Sequence, residues 1–237
     1  MRILGLVPAR GRTRGIPRRN IRQLYGRPLL DYTAEAALKA RGLSRVILST
    51  EDSEVAEAGR RCGLEIPFLR PQELATDEAP ALAVVQHALN TLEERGERFD
   101  AVCLLRPTYP LRRPEDIDGC IELFAREHAD AVVTVLPVPP EHNPHWVYSR
   151  CESGCLHLAT GEWSPIPRRE DLPPAFFREG SVYVTRRDVV LEQNSLYGMV
   201  LLGYLLEASR AVDLDRLEDW TRAEALMAEG RMSAARP

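Results

Sequence analysis

The stretch ILGLVPARGRTRGIPRRN, residues 3–20, joins a short apolar run to a loop rich in arginine and glycine. Residues 3–7 are apolar and end at Pro8, which is typical of a buried strand in a parallel sheet. In open α/β sheets, ligands bind where loops leave the carboxyl ends of the strands. Gly11 and Gly15 would let the backbone approach a ligand closely, and the loop's arginines would attract an anion. The stretch therefore indicates an α/β fold with an anion-binding loop after its first strand.

Apolar runs of strand length alternate with amphipathic segments of helix length over most of the chain. We predict strands at residues 3–7, 46–50, 66–68, 101–105, 131–136, 181–185, 200–204 and 212–215. We predict helices at residues 28–41, 53–62, 79–95, 114–127 and 216–229. Strands that alternate with helices favour right-handed βαβ units. We therefore expect a three-layer, Rossmann-like α/β fold with a mostly parallel sheet.

The alternation stops at about residues 140–178, which are rich in proline, histidine and arginine. Two short alternating stretches around Glu152-Ser153-Gly154 predict a hairpin that projects as an insertion into a single domain over residues 1–237. Zinc-ligand residue types lie close together here, but their spacing matches none of the common structural-zinc patterns. These residues are His142, His145, Cys151, Cys155 and His157. A hairpin with incidental histidines and cysteines is preferred over a zinc site.

The composition excludes several classes of protein. The chain has 237 residues, of which 44% are hydrophobic and 28% charged, as in ordinary globular proteins. No apolar run approaches the roughly 18 residues of a membrane helix, and the N-terminus does not resemble a secretory signal, so we expect a cytoplasmic protein. The net charge of −4 argues against a nucleic-acid binder. The odd number of cysteines, five, predicts free and mostly buried thiols.

Residues 8–20 resemble the N-terminal signature of the acylneuraminate cytidylyltransferase family, which reads approximately P-A-R-G-G-S-K-G-I-P-R-K-N. They contain neither a P-loop nor the dinucleotide-binding fingerprint. Further matches follow in the family's order and spacing: GRPLL at 26–30, STED at 49–52, RP at 70–71 with ELATD at 73–77, PT at 107–108 with PLR at 110–112, and VDLD at 212–215. The resemblance implies a nucleotidyltransferase that transfers CMP from CTP to the anomeric hydroxyl of a 2-keto-3-deoxy sugar acid and releases pyrophosphate.

The resemblance also assigns nucleotide-binding residues. Arg10, Arg14 and Arg19 would contact the triphosphate, and Asn20 would help to shape the loop. Arg70, together with Arg10 and the backbone near residues 79–81, would recognise the base. The full set is Arg10, Gly11, Arg14, Arg19, Asn20 and Arg70, of which Arg14 and Arg19 are assigned, with Asp215, to catalysis.

Asp213 and Asp215 are the predicted Mg²⁺ ligands. In a strand, residues two apart face the same side, so both carboxylates can bind one ion while Leu214 faces the core. The matching aspartates hold Mg²⁺ in the family that the chain resembles. From the residues alone, a surface D-x-D pattern without metal is the alternative. The attacking hydroxyl could lose its proton to one of these carboxylates or to metal-bound water, and the sequence does not decide between them.

The chain departs from the family pattern mainly on the acceptor side. Arg14 and Arg19 replace lysines, but Lys39 is the only lysine in the chain, which offers a compositional reason. The family's L-Q-P-T-S-P-L-R reads LRPTYPLR at 105–112, and its N-G-A-I-Y reads EGSVY at 179–183. The predicted acceptor-binding residues are Arg106, Glu179 and Tyr183. The first two could pair with each other or read an acceptor other than N-acetylneuraminate, such as a pseudaminic, legionaminic, deaminated nonulosonic or Kdo-like acid.

The insertion is expected to form a homodimer interface, as in the family, because aromatic residues are concentrated there. They are Trp146, Tyr148, Trp163, Phe176 and Phe177. A hairpin that packs on its own domain is the alternative. Two other functions stay open: a nucleotidyltransferase that acts on a sugar phosphate or phosphonate, and a non-catalytic nucleotide-binding relative.

Overall fold

The computed structural model describes residues 1–234 of the chain. The strands are β1 (Ile3–Pro8), β2 (Gln23–Leu24), β3 (Arg27–Pro28), β4 (Arg45–Ser49), β5 (Ala101–Leu105), β6 (Ala131–Pro137), β7 (Tyr148–Arg150), β8 (Leu156–Leu158), β9 (Phe176–Arg186) and β10 (Leu201–Leu205). The α-helices are α1 (Leu29–Lys39), α2 (Ser53–Arg61), α3 (Ala81–Glu93), α4 (Pro114–Arg126), α5 (Arg187–Leu191) and α6 (Leu217–Ala234). None of the helices in this part of the chain is long and apolar enough to span a membrane.

A six-stranded sheet in the order β10-β6-β9-β5-β1-β4 forms the centre of the protein. β1 pairs in parallel with both β4 and β5, and β10 pairs in parallel with β6. β9 lies between β5 and β6 and runs antiparallel to both. The prediction of a mostly parallel sheet is therefore confirmed.

Both faces of the sheet are covered by helices. Ala101, Cys103 and Leu105 of β5 belong to an apolar cluster that includes α1, α2 and α4. Val102 and Leu104, which alternate with them, belong to a second cluster that includes α3 and α5. Because successive strand residues point to opposite faces, one continuously apolar strand serves both layers. The prediction of a three-layer α/β fold is confirmed.

A third apolar cluster joins the C-terminal segment to the loop after β1. Ile16 of the loop, Leu214 and Trp220 are nearly excluded from solvent and belong to it, together with Leu24 and Leu29. The amide of Leu214 donates to the carbonyl of Thr108, 2.9 Å away. The cluster therefore holds the segment around residues 212–215 beside both the loop after β1 and the loop after β5.

Two predicted strands are wrong. Residues 66–68 form no strand because Pro67 cannot donate a ladder hydrogen bond, and only a single bridge forms, between Ile47 and Glu65. Residues 212–215 are not part of the sheet, since Leu214 is held by the cluster described above and the amide of Asp215 donates within a turn to Asp213. The alternation of apolar and acidic residues there reflects packing against a loop.

The insertion lies between β6 and β9 and contains the predicted hairpin, β7–β8. Trp163 is fully exposed and Tyr148 is about half exposed, whereas Trp146 donates from its indole nitrogen to the carbonyl of Ile166. The histidines and cysteines of the insertion, for which a zinc site was the less favoured interpretation, form no such site: across residues 1–234, no three histidine, cysteine, aspartate or glutamate side chains are arranged to hold a metal ion. All five cysteines are free; Cys103 and Cys120 are buried, and Cys155 is exposed.

The third cluster generates a stability prediction. Leu214→Ala removes a fully buried side chain and should lower the free energy of unfolding by about 2–5 kcal/mol, measured by urea denaturation. Leu217→Ala is the matched control, because Leu217 is 54% exposed and its loss should cost less than about 0.5 kcal/mol. Equal effects of the two substitutions would contradict the packing role of Leu214.

Candidate active site

A cleft of about 230 Å³ opens at the carboxyl ends of β1 and β5. Its walls contain five of the residues predicted from the sequence: Arg10, Arg19, Asn20, Arg70 and Arg106. Parallel strands end at the same edge of a sheet, so the loops that follow them meet there. The structure thus brings together side chains that are up to 96 positions apart in the sequence.

The arginine loop is held in shape from within. Asn20 is buried, and its side-chain amide donates to the carbonyl of Arg10, 2.8 Å away. The hydroxyl of Thr13 donates to the carbonyl of Ile16, 2.6 Å away, and closes the next turn of the loop. Arg18 adopts the left-handed region with φ 56°, which redirects the chain before Arg19. The loop-shaping role predicted for Asn20 has this geometric basis.

Gly11 packs directly on the residue that caps α2. A Cβ at Gly11 would lie 2.1 Å from Asp52 Oδ2, so only glycine fits. The amide of Gly11 donates to Glu51 Oε1, 2.7 Å away, and is therefore already used within the protein. Asp52 caps α2 and pairs with Arg18, whose guanidinium holds the pKa of Asp52 below its ordinary value. Gly11 acts here by close packing of the loop.

Glu51 is a site residue that the sequence analysis did not assign. Its Oε2 accepts from Arg70 Nη2 at 2.8 Å, while its Oε1 accepts from the amide of Gly11. Both members of this ion pair are buried, with side-chain exposures of 4% for Arg70 and 8% for Glu51. Glu51 therefore fixes Arg70 and the arginine loop against each other. The sequence signal that could have identified Glu51 is its position in the STED motif at residues 49–52, one of the matches to the family pattern.

Arg10 and Arg14 converge on one carboxylate, that of Asp77. Arg10 Nη2 lies 2.7 Å from Asp77 Oδ1, and Arg14 Nε lies 2.5 Å from Asp77 Oδ2. Arg14 is 78% exposed and lines a wider outer cleft with Asp77, whereas Arg10 reaches the inner cleft. Asp77 thus neutralises part of the positive charge with which these two arginines would attract an anion.

Arg19 links the loop to the C-terminal aspartates. Its Nη1 donates to the carbonyl of Leu214, 2.6 Å away, and to Asp215 Oδ1, 2.7 Å away. Asp215 is 60% exposed, whereas Arg19 is only 13% exposed. The structure therefore places Arg19 and Asp215, two of the three residues assigned to catalysis, in direct contact, whereas the third, Arg14, pairs with Asp77.

Asp213 lies in a more enclosed position, beside Tyr109 and Arg106. The hydroxyl of Tyr109 lies 2.7 Å from Asp213 Oδ2, and Arg106 Nη2 lies 3.8 Å from the same oxygen. Asp213 Oδ1 is buried and has no hydrogen-bond partner in the part of the chain that the structure describes. Burial and the charge of Asp213 raise the pKa of Tyr109 above its ordinary value. Tyr109 was not assigned from the sequence, although it stands where the family has serine.

The remaining predicted acceptor residues lie around the bend in β9. Glu179 Oε2 accepts a hydrogen bond from the amide of Ser181, 2.8 Å away, so its carboxylate is bound to the adjacent backbone. Tyr183 is buried in the second apolar cluster, where burial raises its pKa. Arg106 forms its ion pair with Asp213 rather than with Glu179. The pairing of Arg106 with Glu179, one of the two sequence hypotheses, is therefore not the arrangement found.

The arrangement has the chemistry of a polyphosphate site. Three arginines line the inner cleft together with Arg70, and two of them, Arg19 and Arg106, form ion pairs with the carboxylates of Asp215 and Asp213. Guanidinium groups bind phosphate oxygens through charge-assisted hydrogen bonds, and carboxylates can hold a divalent cation against them. Asp213 Oδ1, a buried carboxylate oxygen without a partner among residues 1–234, fits a cation ligand.

Comparisons with known proteins agree with this geometry. A family profile described as cytidylyltransferase matches residues 4–145. A CMP-N,N'-diacetyllegionaminic acid synthase of Legionella pneumophila is 31% identical over 96% of this chain and 97% of its own length. A pseudaminic acid cytidylyltransferase of Campylobacter jejuni is 28% identical over 99% of this chain and 100% of its own length. An N-acylneuraminate cytidylyltransferase of Escherichia coli is 25% identical over 94% of this chain and 51% of its own length.

Solved structures share the fold. A CMP:2-keto-3-deoxy-manno-octonic acid synthetase complexed with CTP superposes with a TM-score of 0.73 and 17% identity, covering 97% of this chain and 100% of its own. A 4-diphosphocytidyl-2C-methyl-D-erythritol synthase from Anaerococcus prevotii superposes with a TM-score of 0.65 and 11% identity, covering 96% of each chain. The sequence matches extend over nearly the whole chain and include the loops that form the cleft. The chain belongs to the acylneuraminate cytidylyltransferase family and is a nucleotidyltransferase.

Proposed function

We propose that the protein transfers CMP from CTP to the anomeric hydroxyl of a nonulosonic acid. The hydroxyl oxygen forms a bond to the α-phosphorus and gives its proton to a carboxylate of Asp213 or Asp215 or to water. The bond from the α-phosphorus to the oxygen that bridges to the β-phosphorus breaks, and pyrophosphate leaves. The observation that carries the proposal is that two arginines of the cleft, Arg19 and Arg106, form ion pairs with Asp215 and Asp213. The names of the relatives, synthases of CMP-linked nonulosonic acids, support the same reaction.

The arginine side of the cleft is the proposed nucleotide site. Arg10, Arg14 and Arg19 would bind the triphosphate, because each presents a guanidinium on the inner or the adjoining outer cleft. Arg70 is buried and held by Glu51, so it presents a fixed side chain to the base. Ala79 and Ala81 line the same cleft, as the proposed base contacts near residues 79–81 require.

Mg²⁺ is the proposed cofactor, held by Asp213 and Asp215. Magnesium sites in proteins commonly use one or two carboxylates, with substrate phosphates and water completing the shell. Asp213 Oδ1, unpartnered within the described residues, and the exposed carboxylate of Asp215 match that donor set. When bound, Mg²⁺ neutralises phosphate charge and orients the reacting groups. Arg19, bonded to Asp215, orients that carboxylate beside the nucleotide site.

The acceptor side consists of Arg106, Glu179 and Tyr183 in this proposal. Arg106 is 38% exposed at the cleft and carries a cation that can meet the carboxylate of a nonulosonic acid. The relatives that act on legionaminic and pseudaminic acids favour acceptors of that kind. A phosphorylated acceptor is the second candidate, because Arg106 would suit a phosphate equally well.

We further propose a homodimer in the cytoplasm, formed through the insertion at residues 140–178. The supporting observation is the apolar surface that the insertion and the adjoining start of β9 leave exposed. Its exposed aromatic residues are Tyr148, Trp163, Phe176 and Phe177. Aromatic residues are enriched at protein interfaces because they combine large contact area with little flexibility.

The reaction itself is tested by pyrophosphate release with Mg²⁺ and each of the four common nucleoside triphosphates. The acceptor panel contains legionaminic, pseudaminic, N-acetylneuraminic and Kdo acids, and a sugar phosphate. Release is expected only with CTP and a keto-acid sugar. Release with the sugar phosphate alone would favour the second candidate. CTP binding without turnover on any acceptor would favour a non-catalytic relative.

The metal assignment is tested by Asp215→Asn. Loss of one carboxylate ligand should lower turnover by at least about 100-fold. This is more than the usual effect of removing a residue that only forms a hydrogen bond to a metal ligand. Glu218→Gln is the control, since it removes the same charge from an exposed residue three positions away. Steady-state rates and circular dichroism separate a lost ligand from a lost fold. A normal rate in Asp215→Asn would remove the assignment.

The contacts of Asp77 generate a prediction about nucleotide affinity. Phosphate groups must replace the Asp77 carboxylate at Arg10 and Arg14, so Asp77→Asn should tighten CTP binding about two- to fivefold, the worth of a partly exposed ion pair. Isothermal titration without acceptor measures the dissociation constant. Glu78→Gln is the control, because Glu78 is 77% exposed and its carboxylate lies 3.5 Å from Arg14, farther than Asp77 lies from either arginine. Weaker binding by Asp77→Asn would show that Asp77 supports the nucleotide site.

A further inference from the structure

Tyr109 lies directly after the residues of the β5 loop that line the cleft, Arg106, Pro107 and Thr108. It is 6% exposed, and it follows β5 in a loop whose matching family position holds serine. Its hydroxyl oxygen lies 2.7 Å from Asp213 Oδ2 and 2.6 Å from the backbone carbonyl of Glu179. A serine side chain is much shorter than tyrosine, so the contact with Asp213 depends on the phenol.

One hydroxyl proton can serve only one of these two acceptors at a time. A carboxylate is a stronger acceptor than a neutral carbonyl, because charge-assisted hydrogen bonds are roughly twice as strong as neutral ones. The proton of Tyr109 is therefore directed at Asp213 Oδ2. The carbonyl of Glu179 remains within hydrogen-bond distance of the same hydroxyl, 2.6 Å away.

Within residues 1–234, the hydrogen bond and the ion pair of the Asp213 carboxylate both fall on one of its two oxygens, Oδ2. Arg106 Nη2 lies 3.8 Å from Oδ2, and the Arg106 guanidinium lies 5.5 Å from the centre of the Tyr109 ring. Oδ1 is buried and has no partner within residues 1–234. The phenol and the guanidinium thus hold the carboxylate by Oδ2 and leave Oδ1 unused.

We propose that Tyr109 is a positioning residue that holds Asp213 by Oδ2 and keeps Oδ1 free for a divalent cation. The proposal rests on the metal site of the proposed function and adds a residue to it. Hydrogen-bond partners of metal ligands fix ligand orientation, and their loss typically weakens metal binding 10–100-fold. Tyr109 would act on the cation only through Asp213.

The test uses Mn²⁺ as the probe and binding rather than turnover as the readout. Free Mn²⁺ is measured by electron paramagnetic resonance in the presence of CTP and without acceptor. Tyr109→Phe keeps the ring and removes only the hydroxyl, and it should weaken Mn²⁺ binding by about 10-fold or more. Tyr32→Phe is the matched control, because the Tyr32 hydroxyl donates to the carbonyl of Leu24 away from the aspartates. Its Mn²⁺ affinity should stay within about twofold of the wild type.

A double-mutant cycle separates positioning from general damage. Asp213→Asn alone should weaken Mn²⁺ binding, and adding Tyr109→Phe to it should change the dissociation constant by less than about twofold. Additive effects would overturn the route through Asp213. Unchanged Mn²⁺ affinity in Tyr109→Phe alone would overturn the inference while leaving the proposed function intact. Unchanged affinity in Asp213→Asn would instead remove the metal site of the proposed function.

The second readout compares the Mg²⁺ concentration for half-maximal rate with the kcat at saturating Mg²⁺. In Tyr109→Phe, the Mg²⁺ concentration for half-maximal rate should rise by the same factor as the Mn²⁺ dissociation constant. The kcat at saturating Mg²⁺ should recover to within a few-fold of the wild type. CTP binding in the presence of a chelator and the melting temperature should remain unchanged. A low kcat that excess Mg²⁺ does not restore would contradict a positioning role.

Discussion

The apolar contact between the loop after β1 and the C-terminal segment keeps the two charged halves of the cleft together. Ile16 and Leu214 are fully buried in one cluster with Trp220, and Arg19 and Asp215 are their near neighbours in sequence. A partly exposed ion pair such as Arg19–Asp215 contributes little by itself, typically less than about 1 kcal/mol. Burial of the apolar side chains therefore holds the segment in place, and the ion pair sets the orientation of the charged groups.

Two buried cations extend this rigidity to the rest of the cleft. Arg70 is neutralised by Glu51, which also binds the amide of Gly11. Arg112 is bonded to Thr33 and to the carbonyls of Arg106 and Ser181, and burial lowers its pKa to about 10. An uncompensated buried charge is costly, so these bonds leave few alternative positions for the loops that they join. The walls of the cleft are thus largely formed before any ligand arrives.

The layers of the fold were predicted well from the sequence, because a short run that is apolar at every position, such as residues 101–105, is typical of a strand covered on both faces. The direction of β9 could not be read from its residues, since parallel and antiparallel strands buried on both faces look alike. Residues 212–215 were taken for a strand because packing of Leu214 against a loop produces the same alternation as a half-buried strand.

The arginines of the candidate site were predictable because the resemblance carries them by position. Glu51 and Tyr109 were not, because their roles depend on which groups they meet across the fold. Tyr109 and Asp213 are 104 positions apart, and only the structure shows that they touch. The replacement of the family's serine by Tyr109 marked the position as unusual, but its partner could not be inferred from a single sequence.

Because β6 and β9 are antiparallel neighbours in the sheet, the length of the insertion between them can change without a change in strand order. Residues 138–175 leave at the end of one strand and return at the start of the strand beside it, so the whole insertion is the loop of a single long hairpin. The entropy of closing such a loop grows only logarithmically with length, by about 0.6 kcal/mol for each doubling. This segment can therefore be shortened, lengthened or exchanged between relatives while the register of the sheet is kept. Surfaces built on it can diverge independently of the candidate active site.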